Sequence, residues 1–261
     1  VFLQSGGRAT TPWYGIWSRK GFPWVLFGTA TIWTRGSAVH FEILVEDQSG
    51  RKLLEILVPK IIGREHTFRV SAYKGIGRLP KGLRSGEEAR RRILLDQLPR
   101  LLRGYGRTFT YYPEDTVAVV VVCDLDDKCL KHFRRELLDL LGRCEFKPKT
   151  RFCIAVEEGE AWLLGDLSAV KKAYPRAREP ILKAYENDSL CGTWERLADA
   201  VYPGGSRALS ADGWQAVGAE KSLWAVKIAP HMNVAENLSP SFCYFCRKIR
   251  ELLEECSGAL G

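Results

Sequence analysis

Three clusters of carboxylates stand where apolar runs end. Phe41–Val45 gives way to Glu46-Asp47. Val117–Cys123 gives way to Asp124-Leu125-Asp126-Asp127, and Phe152–Val156 to Glu157-Glu158-Gly159-Glu160. Mg2+ (or Mn2+) is a hard ion that takes oxygen ligands, commonly one or two carboxylates completed by water and substrate phosphates. The Asp124-x-Asp126 pair leaves its run where the backbone must turn, so both side chains can face one ion. Glu46 would complete the shell or act as a general base, and Glu158 and Glu160 are further candidate ligands. A metal ion beside a carboxylate base suits phosphodiester chemistry, because the ion stabilises the attacking and leaving oxygens. The same acids also have plainer uses. Asp126 or Asp127 can cap a following helix, and Glu160 can sit in a first helical turn, where the dipole favours it.

These acids meet only if the runs that carry them share one edge of a parallel sheet, the edge at which open α/β sheets bind ligands. The chain has that pattern from His40 onward. Phe41–Val45 reads as a strand. Ser49 is placed to cap a helix with Leu53, Leu54, Leu57, Val58 and Ile61 on its apolar face, stopped by Gly63. Thr67–Ala72 is a second strand. Residues 87–103 read as a helix that Pro99 kinks or breaks. Residues 117–123 form a third strand, followed by a helix over about 128–141 with Leu130, Phe133, Leu137, Leu138 and Leu141 at 3–4 spacing. Residues 151–156 form a fourth strand and 161–164 a short helix. Strands alternating with helices argue for a mostly parallel, doubly wound α/β sheet over residues 39–166. Residues 167–261 read as a helical continuation packed on it, ending in a helix from about Ser241 to Cys256.

The chain of 261 residues carries a net charge of +8 and a pI near 9.1, which leans towards a polyanionic partner. The basic residues are concentrated. A glycine-laced loop holds Lys74, Arg78, Lys81 and Arg84, and an Arg-rich helix follows it. A basic loop beside an acidic metal site fits a phosphate-backbone track. The plain alternative is a solvated helix face. Gly75-Ile76-Gly77 is not a dinucleotide fingerprint, because the third glycine falls wrongly.

Residues 1–38 are set apart. They hold Trp13, Trp17, Trp24 and Trp33, four cations and no Asp or Glu, so half of the net charge lies there. They read as an extension outside the domain rather than as an aromatic, basic arm. No stretch has the roughly 18 apolar residues of a membrane span, so no membrane partner and a cytoplasmic location are the default expectations. Eight cysteines without a repeated paired spacing argue for reduced, partly buried thiols. Cys243-Tyr244-Phe245-Cys246 is one cysteine pair where zinc usually needs two, and core packing is the simpler reading.

In sum, the order strand–Glu46, strand–Asp124-x-Asp126, strand–Glu158-x-Glu160-Ala161-Trp162 resembles the Toprim superfamily, and more narrowly the bacterial domain-of-unknown-function family 4276. The matching stretches are Leu44–Asp47, Gly75–Lys81, Asp124–Cys129, Glu157–Asp166, Lys221–Ala225, Ile228–Pro230 and Ser239–Phe242. The resemblance covers about residues 40–250 and implies a Toprim/Rossmann-like fold with Asp124 and Asp126 on magnesium and Glu46 in acid/base work. It also implies a Mg-dependent nuclease acting on DNA or RNA, with an ABC-type ATPase encoded nearby, as in two-gene phage-defence systems. The alternative is a non-catalytic Toprim-like subunit that binds nucleic acid or the ATPase. Phosphoryl or nucleotidyl transfer on the same metal site is a third option. Many Toprim domains have glycine after the first glutamate, where this chain has Asp47, which adds a ligand or crowds the site. Lys221 is either a phosphate-neutralising cation or a surface lysine.

Overall fold

The apolar runs form the strands of a parallel sheet, and their composition explains why. Strands covered on both faces read as continuous Val/Ile/Leu runs rather than alternating ones. The computed structural model describes residues 38–73, 94–125, 128–188 and 192–257. In it β1 (His40–Val45), β2 (Thr67–Ala72), β3 (Val117–Asp124) and β4 (Thr150–Ala155) pair in the order β2-β1-β3-β4. All three pairings are parallel, with Val45 opposite both Ala72 and Val122, and Asp124 opposite Ala155. The α/β fold with a mostly parallel sheet, flanking helices and a helical C-terminal part is therefore observed. The chain steps from β1 outward to β2, then returns across β1 to β3. The strand order thus reverses between β1 and β3, and a crevice opens there outside the strand C-termini.

Helices cover both faces. On one side α1 (Gln48–Ile62) lays Leu53, Leu54 and Leu57 against Phe41, Ile43, Val45, Val120 and Val122. On the other, α2 (Leu94–Phe109) and α3 (Leu130–Gly142) cover Leu44, Val119, Val121 and Cys123 with Leu94, Leu98, Leu102, Phe133 and Leu137. Each fully buried Val, Leu or Phe side chain contributes about 1.5–3 kcal/mol.

The C-terminal part joins the α1 face. Its helices are α4 (Glu160–Leu164), α5 (Leu167–Ala173), α6 (Glu179–Lys183), α7 (Thr193–Val201), α8 (Gly205–Ala211), α9 (Trp214–Ile228) and α10 (Pro240–Ser257). Trp162, Trp224, Phe242 and Phe245 extend the core of that face, with the Trp162 and Phe245 rings 5.0 Å apart. Trp162 Nε1 donates to Ser241 Oγ at 2.9 Å, so the indole is buried without an orphaned donor. Lys60 of α1 donates to the carbonyls of Ala229, Pro230 and Met232 at 2.8–3.0 Å, fastening the end of α9 to the α/β part.

Several local expectations change. Asp47, not Ser49, caps α1: its Oδ1 accepts from Gly50 N at 2.7 Å and its Oδ2 from Ser49 Oγ at 2.6 Å. A carboxylate also complements the helix N-terminus electrostatically, which a hydroxyl does not. α2 runs through Pro99 to Phe109, well past the expected end at 103, while residues 87–93 lie outside the described residues. α3 begins after Cys129, which makes no side-chain cap, and the expected caps Asp126 and Asp127 lie outside the described residues. Only Phe133 and Leu137 of its apolar series are buried, whereas Leu130 and Leu138 are exposed. The cysteines among the described residues are free, and no described helix is long and apolar enough to cross a membrane.

Candidate functional site

The C-terminal ends of β1 and β3 build the site. β1 and β3 are neighbours in register, so Glu46, one residue beyond Val45, comes out beside the end of the strand that finishes in Asp124. β4 ends opposite Asp124 and feeds the turn into α4, which opens with Glu160. A cavity of about 30 Å³ is lined by Glu46, Asp47, Asp124, Glu160 and Lys221, with Leu54, Val122 and Trp162 as its apolar wall. That volume accommodates one or two water-sized ligands. α1 closes the crevice tightly: a Cβ on Gly50 would lie 2.6 Å from Val45 Cγ2, so the first turn approaches β1 only because residue 50 is glycine.

The electrostatics are those of crowded acids around one lysine. Burial, and then the charges of Glu46, Glu160 and Asp47, push the Asp124 carboxyl well above the usual carboxylate range, while Lys221 pulls it back. Glu160 is 5% exposed and is raised by burial against the pull of Lys221. Glu158 is pushed up to about 7, again chiefly by burial, with Lys221 opposing. Lys221, on α9, places Nζ 3.2 Å from both Glu158 and Glu160. Burial works against its charge, but Glu160, Glu158 and Asp124 outweigh that and hold it protonated. Its side chain is only 15% exposed, so it is not a surface lysine.

The structure divides the acids by task. Asp47, the residue that departs from the Toprim pattern, spends both oxygens on capping α1 and adds negative charge beside Asp124 and Glu160. Glu157 is not at the cavity. Its backbone is left-handed (φ 66), and its carboxylate accepts from Gly192 N and from Thr193 N at 3.0 Å, so it caps α7. Thr193 Oγ1 lies 3.5 Å from Glu158. Glu46, Asp124 and Glu160 are brought to one cavity, and Glu158 joins them through Lys221. Asp126 and the basic positions Lys74, Arg78, Lys81 and Arg84 lie outside the described residues.

Among the described residues, no three His, Cys, Asp or Glu side chains form a ready-made metal shell. The Glu46–Asp124 pair is nonetheless an all-oxygen donor set with space for water, the usual arrangement for Mg2+. Among the described residues Cys243 and Cys246 join no metal-ligand group: Cys243 Sγ donates to Asn237 O at 3.1 Å, and Cys246 is buried in the core.

A second polar cluster escaped the sequence reading. Glu42, 7% exposed within β1, receives Arg69 Nε at 2.9 Å and Tyr105 Oη at 3.2 Å, and pairs with His40 at 3.3 Å. Burial raises its pKa, but His40 and Arg69 outweigh that and hold it below the usual range. Glu42 and Arg69 are cross-strand partners in the β1–β2 register, which is the signal that would have found them. Every polar group in it is matched within the fold, so it ties α2 to the sheet.

No family model, curated protein or solved structure matches this chain.

Proposed function

We propose that this chain is a Mg2+- or Mn2+-dependent nuclease of Toprim type that hydrolyses DNA or RNA phosphodiesters in the crevice between β1 and β3. The observation that carries this reading is the meeting of Glu46 and Asp124, far apart in sequence, at the point where the strand order reverses. Asp124 and Glu46 would hold the ion, joined by Asp126 on the strength of the resemblance. The ion supplies charge stabilisation to the attacking and leaving oxygens. Asp124 repels Glu46, Asp47 and Glu160 at close quarters, and a bound cation relieves that repulsion. Glu46 would orient or deprotonate water. Lys221 offers a fixed positive charge to a phosphate at the cavity mouth. Lys74, Arg78, Lys81 and Arg84 extend the contact along the backbone of the nucleic acid. An ABC-type ATPase acting with this chain in bacterial defence belongs to the same proposal and rests on the resemblance.

A second reading has its own support. Lys221 already neutralises Glu158 and Glu160 from within the fold. A site balanced in this way would suit a non-catalytic subunit that binds nucleic acid or the ATPase. Incubation with supercoiled plasmid and with tRNA, with and without Mg2+, separates the two. The nuclease reading expects metal-dependent cleavage that Asp124→Asn and Glu46→Gln abolish while the thermal melt stays cooperative. Cleavage that survives both substitutions overturns the site. No cleavage and no calorimetric Mg2+ binding favours the second reading.

A further inference from the structure

The open side of β4 is flanked by two helices from opposite faces of the sheet, and their cations converge on one tyrosine. Arg134 of α3 lies 5.6 Å from the centre of the Tyr244 ring, and Arg247 and Lys248 of α10 each lie 5.4 Å from it. On α3, Lys131, Arg134 and Arg135 are all exposed, and their i, i+3, i+4 spacing sets them in one stripe. The answering negative charge comes from Glu251 of α10 and from Glu136 and Asp139, exposed on α3. Glu251 takes up Lys248 and, at 3.7 Å, Arg247. Among the described residues no carboxylate pairs with Arg134. The Arg247 side chain is 65% exposed, so its guanidinium faces solvent. Like charges gather here around a phenol ring with a clear surplus of cations, and closing the sheet edge requires no such surplus.

The position of this surface gives it meaning. β4 is the neighbour of β3, so the helices that carry these cations flank the strand next to the one that ends in Asp124. Lys131 and Arg134 sit in the first turns of α3, whose start follows that strand end by a few residues.

We infer that Arg134, Arg247 and Lys248, gathered about Tyr244 at the β4 edge, form with Lys131 and Arg135 of the same α3 stripe a phosphate-backbone contact surface for nucleic acid leaving the cavity. The inference rests on the nuclease reading for its geometry, but it is tested by binding alone. It uses none of the basic positions at 74–84. Phosphate contacts of this kind position the ligand without reading its sequence.

The test is fluorescence anisotropy of a labelled oligothymidine in EDTA, where no metal-dependent cleavage proceeds, across a salt series. Wild type is compared with Arg134→Gln/Arg247→Gln and, should that pair unfold, with Arg247→Gln alone. Each lost phosphate contact lowers the salt slope by ~0.7, so the double variant is expected to lose ~1.4 units of slope and about tenfold in affinity at low salt. Unchanged affinity and slope in both variants overturn the inference, as does equal displacement of the oligonucleotide by polyglutamate. Its failure is distinguishable from failure of the nuclease reading: lost cleavage in Asp124→Asn with binding intact supports the catalytic site whatever this surface does.

Discussion

Lys221 Nζ stands 3.2 Å from the buried carboxylate of Glu160, and the two come from α9 and α4, helices far apart in sequence. The contact makes the lysine an internal counter-charge for the acids at the strand ends. Breaking a buried pair by removing one partner costs about 3–5 kcal/mol, because the other charge stays buried and uncompensated. Lys221→Met is therefore expected to lower unfolding free energy by about that amount in urea titration. Lys221→Met/Glu160→Gln is expected to recover more than half of the loss. A double variant no more stable than the single one would show that the pair is not coupled.

The same acids predict how stability varies with pH. Asp124, Glu158 and Glu160 all have folded-state values raised above their unfolded ones. The folded protein therefore holds more protons than the unfolded chain over this window, and stability falls as pH rises. For Glu158 the contribution is complete below its ordinary value of 4.5 and is lost as pH passes about 7. In EDTA the thermal midpoint is expected to fall between pH 5.5 and pH 8, and Asp124→Asn should make the fall shallower. Magnesium, under the proposed function, should raise the midpoint most at the alkaline end. Equal slopes for wild type and Asp124→Asn would contradict the crowding of charge at this residue.

Gly50 permits the close approach of α1 to β1. The glycine-to-alanine change normally gains about 1 kcal/mol of helix propensity, but the added Cβ would lie 2.6 Å from Val45 Cγ2. Overpacking of this kind costs about 1–3 kcal/mol, and here both contacting groups belong to fixed elements. Gly50→Ala is expected to be net destabilising by about 1 kcal/mol in urea titration and to weaken the Asp47 cap. A stabilised variant would mean that α1 can withdraw from the strand without cost.

Glu42 and Arg69 form a second pair, in which the carboxylate is buried and the guanidinium is partly exposed. Arg69→Met leaves the Glu42 carboxylate at 7% exposure with only His40 and Tyr105 as partners. A loss of about 1–3 kcal/mol is expected, visible as a lower denaturation midpoint with an unchanged slope. Cleavage, if present in wild type, should persist at a temperature where the variant is folded. Selective loss of cleavage would place this cluster in the function rather than in the scaffold.

The strands were legible because a sheet covered on both faces needs unbroken apolar runs, and the runs ending at Val45, Cys123 and Val156 have no other common explanation. Glu46, Asp124 and Glu160 were legible as a group for the same reason: each follows such a run. Contacts set by packing were not legible. Nothing in the sequence near Lys221 shows that it lies between Glu158 and Glu160, because α9 reaches them only through the tertiary fold. Glu157 looked like part of the acidic site, yet its left-handed backbone turns it onto α7. Ser49 lost the cap to Asp47, whose two oxygens satisfy a backbone N–H and the Ser49 hydroxyl together. Pro99 does not end α2, whose burial against the sheet by Leu94, Leu98 and Leu102 outweighs one missing backbone donor.

Glu157 adopts a left-handed backbone, at a cost of about 1 kcal/mol, to fasten the start of α7 beside Glu158, where Thr193 Oγ1 lies 3.5 Å from the carboxylate. The turn after β4 is thereby geared to the C-terminal helices. Any displacement of α7 has to be absorbed within one residue of Glu158, so a force applied to the helical part arrives at the strand-end acids as a change in the spacing of charges.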